Sequence, residues 1–159
     1  MTASEIAWKT LAAGIGATAL MDVWAVLLNR VFGLALPNWA LVGRWFAHVP
    51  RGTLFHKDIG HAKPVGNELG IGWAAHYATG IVYAAALVAI AGAQWLAAPA
   101  FILGMVTIGA GWFLLHPGMG AGWASSLKPN PWKIRFLNIL AHTVFGFGMF
   151  ATAWAISGL

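Results

Sequence analysis

Polar residues in this chain are scarce and bunched, and the stretches between them are apolar for longer than any soluble helix needs. About 20 consecutive apolar residues cross the hydrocarbon core of a bilayer. Four such stretches occur, at 8–32, 69–92, 96–127 and 134–159. The first is interrupted by Asp22 and Asn29. The third is over-long and carries Pro117 in a glycine-rich tract, where a kink is expected. Between the first two stretches, residues 38–49 place Trp39, Val42, Trp45, Phe46 and Val49 at helical spacing, with Arg44 and His48 off that stripe. This pattern predicts a short amphipathic helix lying in the headgroup plane. Residues 50–68 mix Gly, Pro and charge and are expected to be irregular. The reading is therefore all-α: a single integral membrane domain over 1–159, built as a four-helix transmembrane bundle with an interfacial helix in the first cytoplasmic loop.

Composition agrees. Of 159 residues, 60% are hydrophobic and 8% charged, with 9 Lys+Arg against 4 Asp+Glu. A soluble domain carries roughly 25% charged residues to cover its surface, so the solvent here must be lipid. The net charge of +5 does not point to nucleic acid, because the cations gather in two loops. Arg30, Arg44, Arg51, Lys57 and Lys63 flank the first connection, and Lys128, Lys133 and Arg135 the third, leaving Lys9 alone opposite. By the positive-inside rule both loops are cytoplasmic and both termini periplasmic. Trp8, Trp95 and Trp154 then fall at the outer edge, and Trp39, Trp45, Trp73 and Trp132 at the inner one. The early Glu5 and the long apolar run argue against a cleavable signal. With no cysteine, disulfides and thiolate chemistry are excluded.

The candidate chemistry is one ionisable group per span: Asp22, His76, His116 and His142. Such groups are expensive in a membrane and face the interior or a cavity. At 1.5 Å per residue, Asp22 lies about 16 Å from the cytoplasmic edge, and His76 and His142 about 10 to 12 Å from it. His116 reaches a similar depth only if its helix continues past Pro117. Residues four apart share a face. Gly14, Thr18 and Asp22 form one such line; Gly72, His76 and Gly80 another; Trp112, His116 and Gly120 a third; Asn138, His142 and Gly146 the last.

Three imidazoles and a carboxylate suit a transition metal ion, with Met21 and Met119 as further donors for Cu(I). The same groups suit a proton relay. Alternatively His76 and His142 ligate a b-type haem or border a quinone site, or the polar groups only fasten the helices of a structural subunit. The loop histidines His48, His56 and His61 are read as solvated. Arg44 and Arg51 are expected at lipid headgroups, with anionic lipids and a membrane protein or second copy as partners. No phosphate-binding glycine loop or nucleophile elbow is present, so no enzymatic activity is assigned.

Several blocks together resemble a known family. They are Gly16-Ala17-Thr18-Ala19-Leu20-Met21-Asp22, the run Val42-Gly43-Arg44-Trp45-Phe46-Ala47-His48-Val49-Pro50-Arg51-Gly52, and Gly72-Trp73-Ala74-Ala75-His76-Tyr77. Pro117-Gly118-Met119-Gly120, Pro129-Asn130-Pro131-Trp132 and His142-Thr143-Val144-Phe145-Gly146 complete the set. In this order the chain resembles a bacterial inner-membrane family known only as domain of unknown function 2938. The resemblance implies a compact, multi-pass inner-membrane protein and supplies no activity. It also implies a different polar residue at His116 in many relatives, which leaves Asp22, His76 and His142 as the core trio.

Overall fold

The computed structural model describes residues 1–157; the end of the expected fourth span, at 158–159, lies outside the described residues. Among those described there are helices and no strands. Four helices are long and apolar enough to cross a membrane: α1 (Ala3–Phe32), α3 (Glu68–Ala91), α4 (Ala97–Gly118) and α5 (Pro131–Ser157). A shorter α2 (Trp39–His48) occupies the position expected of the amphipathic segment.

Each boundary has a local cause. Thr2 caps α1 through a reciprocal capping box with Glu5, and Gly33 ends it in the left-handed conformation at φ 63°. Asn38 caps α2, its side chain accepting from the Leu41 N–H. The third span is shorter than the apolar run suggests. It ends at Gly118 and not at Leu127, because Gly120 (φ 82°) and Gly122 (φ 74°) turn the chain where a helix would need negative φ. Where a kink was expected at Pro117, the helix instead has a π-helical turn at Gly111–Leu115 and continues α-helical through the proline to Gly118.

The chain divides into two compact units. The first comprises 1–36, 77–107 and 139–157 of the described residues. Its core is made mostly of small side chains, with Ala13, Ala17, Ala84, Ala100 and Ala153 fully buried around Leu87, Phe145 and Met149. Backbones meet directly there. A Cβ placed on Gly14 would lie 2.6 Å from the Ile81 Cα, and one on Gly104 would lie 2.7 Å from the Gly146 Cα. Close approach through small residues is how helices associate in lipid, where burial of apolar surface gives no driving force.

The second unit comprises 37–76 and 108–138. Here α2 crosses the start of α3 at Gly43 and Gly72, where any Cβ would collide with the Glu68 and Trp39 carbonyls. Trp45 is buried and donates its indole N–H to the Leu54 carbonyl at 2.8 Å. The stretch 119–130 is held by its own turns, with Ala124 and Ser125 both left-handed at φ 45° and 59°. Arg135 supports this turn by donating to the Ala124 carbonyl at 3.0 Å.

Candidate functional site

The four ionisable groups expected within the spans each acquire a partner. In the first unit Asp22 accepts a hydrogen bond from the Tyr77 hydroxyl at 3.0 Å. Its position on α1 follows from the helical line Gly14, Thr18, Asp22, whose first two members press against Gly80 and Ile81 of α3. Also in this unit, His142 Nδ1 lies 2.9 Å from the Thr107 hydroxyl and 3.2 Å from the Gly104 carbonyl. The Thr107 hydroxyl itself donates to that carbonyl at 2.7 Å. With its proton committed there, Thr107 can only accept from His142, so Nδ1 carries the imidazole proton and Nε2 is the acceptor of the neutral ring.

In the second unit His76 stacks on Trp39, with ring centroids 3.9 Å apart and planes 28° apart. His116 occupies the last turn of α4, since that helix stops at Gly118, and its Nδ1 lies 3.0 Å from the Ser125 hydroxyl. It therefore lacks the further helix that the depth argument required of it. Trp112 donates to Asn138 at 3.1 Å, so the face expected to carry His116 does carry polar contacts. Among the described residues, no group of three or more His, Cys, Asp or Glu side chains is gathered closely enough to hold a metal ion.

The connection between α2 and α3, also in the second unit, is more organised than its composition suggests. Arg44 donates to both Glu68 carboxylate oxygens, at 2.7 and 3.0 Å, and to the carbonyls of Ile59, Gly60 and Ala62 at 3.0 to 3.2 Å. Its guanidinium is thus largely spent on fastening the loop, and the Glu68 contact holds its pKa above the usual value. Arg51 is different. It is exposed, forms no ion pair among the described residues, and lines a cavity of about 550 Å³ with His48, Thr53 and Lys63.

The loop histidines divide. His61 is exposed and pairs with Asp58 at 2.8 Å, as a solvated reading expects. His48 and His56 are half-buried, and His48 Nδ1 lies 2.9 Å from His56 Nε2. Their spacing of eight residues across a helix end matches no metal or catalytic pattern, so nothing in the sequence marks them as a pair.

The model of one family, described as a protein of unknown function (DUF2938), matches residues 11–156. No curated protein and no solved structure matches the chain. The match spans nearly all of the sequence, and the chain belongs to this family.

Proposed function

We propose that this DUF2938 protein is a multi-pass protein of the bacterial inner membrane, both termini periplasmic, that moves protons through Asp22. One observation carries the reading: an ionisable carboxyl within a helix long and apolar enough to span a membrane, hydrogen-bonded at 3.0 Å to the Tyr77 hydroxyl. A carboxylate there is costly unless it is neutralised or put to use. As a carboxylate, Asp22 accepts a hydrogen bond from the Tyr77 hydroxyl; once protonated, it becomes a donor, and the hydroxyl can turn to accept. His142, with Nδ1 committed to Thr107 and Gly104, offers Nε2 as a second proton-accepting atom in the same unit. The metal reading of Asp22, His76, His116 and His142 has less support, since no ligand set of three is assembled among the described residues.

The test is proton uptake by proteoliposomes containing a trapped pH-sensitive dye, driven by a potassium diffusion potential. Asp22→Asn keeps shape and hydrogen bonding but cannot ionise, and it should abolish uptake without lowering the thermal midpoint in detergent. Tyr77→Phe should reduce uptake. Wild-type vesicles that stay proton-tight would end this reading. A Soret band in the purified protein would move the assignment to haem held by His76 and His142, and stoichiometric metal without one would restore a His/Asp metal site.

A further inference from the structure

The proton count of the His48–His56 pair follows from its neighbours. His48 Nε2 lies 2.9 Å from the Lys63 carbonyl oxygen, and His56 Nδ1 lies 3.0 Å from the Gly118 carbonyl oxygen. Carbonyl oxygens only accept, so both outer nitrogens carry protons. If both rings were neutral, the inner nitrogens would present two lone pairs to each other across 2.9 Å. A bond at that distance needs one further proton between them. The pair then holds three protons on four nitrogens and one positive charge.

That charge sits beside a cationic cavity. His48, Arg51, Thr53, Lys63, Val65 and Gly66 border a space of about 550 Å³. Among the described residues neither Arg51 nor Lys63 has an acidic partner. Of the acids nearby, Glu68 lies within electrostatic reach of His48 but is bound bidentately by Arg44, and Asp58 is bound by His61. The end of α4 meets the loop through the Gly118 and Met119 carbonyls, with His116 of the same turn bonded to Ser125, and Lys128 acts on Asp58 as a further positive charge. Lys57, between His56 and Asp58, adds further positive charge.

We propose that this cavity binds a phosphate-type anion, with Arg51 and Lys63 as direct ligands, Thr53 as a hydroxyl donor, and the His48–His56 pair as a positive charge that is present only while the shared proton is held. The anion is the phosphate of a lipid headgroup or a soluble phosphate group; both offer the same tetrahedral oxygens to guanidinium and ammonium. Loss of the shared proton removes one charge from the cavity wall and sets two lone pairs face to face. Binding therefore weakens when the shared proton is lost.

The probes are inorganic sulfate, whose charge is constant across the histidine range, and dioctanoyl phosphatidic acid, with dioctanoylglycerol as its uncharged control. Binding is followed on the full chain in detergent by calorimetry, and the histidine protons by 15N spectra of histidine-labelled protein. The expected result is affinity about tenfold weaker in Arg51→Gln or Lys63→Gln, the size of one lost charged hydrogen bond. Wild-type affinity should be higher where the shared proton is held than where it is lost at high pH, and His56→Gln and His48→Gln should flatten that difference. Binding of both probes supports a site open to soluble anions, and binding of the phosphatidic acid alone supports a headgroup site. Binding of neither probe, or binding unchanged by Arg51→Gln and Lys63→Gln, overturns the proposal. Should the histidine variants unfold, the 15N spectrum of the wild type decides. A coupling between the two inner nitrogens at low pH that vanishes at high pH supports the shared proton, and two uncoupled neutral rings throughout overturn it.

Discussion

Trp45 and Asp58 show how single side chains hold the segment between α2 and α3. The Trp45 indole is 4% exposed and its N–H is the partner of the Leu54 carbonyl. Trp45→Phe leaves that carbonyl unpaired and a void beside Gly118, and should cost about 1 to 3 kcal/mol in unfolding from mixed micelles. Asp58 accepts from the Gly60 N–H at 2.8 Å and from His61, and these bonds, the Gly60 contact foremost, pull its pKa below the ordinary carboxylate value. A lowered value contributes stability that is fully present above the unfolded pKa and lost as pH falls through the folded one. Protection of the Gly60 amide from exchange should therefore persist through the range where a free aspartate titrates and fail only below it, while Asp58→Asn should show no such step. At this scale the sequence was half legible. Asp22 and His142 stood out because ionisable groups are rare in apolar runs. Tyr77 and Thr107, their partners, did not, because one hydroxyl among neutral residues carries no such signal and hydrogen bonding joins distant stretches. The contact between His48 and His56 was illegible for the same reason.

Helices meet here where side chains are missing, so the sharpest test at the scale of the element is to supply one. Gly104→Ala places its Cβ 2.7 Å from the Gly146 Cα and 2.8 Å from the His142 carbonyl oxygen, which are backbone atoms that cannot rotate away. It should destabilise by about 1 to 3 kcal/mol, the usual cost of overpacking. Gly109→Ala, on the same helix, meets only the Phe113 ring at 3.6 Å, and should be neutral or stabilising by up to about 1 kcal/mol. Thermal unfolding of both variants in one detergent checks the contrast. The end of α1 and both ends of α3 fall within one residue of the apolar runs, whereas α1 starts five residues ahead of its run, at Ala3. The end of α4 was not readable, since 118–127 is apolar in composition and helix-breaking only in its glycine conformations. The π-helical turn left no trace in the residue types of 111–115.

Across the described residues, large apolar side chains lie outward on the long helices: Val82 (62%), Ile90 (79%), Ile102 (60%) and Val106 (65%) are exposed, while Gly14, Ala17, Gly104 and Gly146 are buried. Lipid is the solvent that such a surface fits, and the cation count predicts which way it faces. Reporter fusions at Gly60 and Lys128 should read as cytoplasmic and one after Ser157 as periplasmic; a cytoplasmic C-terminal reporter would reverse the orientation. The small-residue interior has one more effect, which is entropic. Ala13, Ala17, Ala84, Ala100 and Ala153 are fully buried and have no rotamers to lose, whereas ordering a leucine costs roughly 0.5 to 1 kcal/mol. In a solvent that gives helices little reason to leave it, a core of alanines lets them associate while surrendering almost no side-chain freedom.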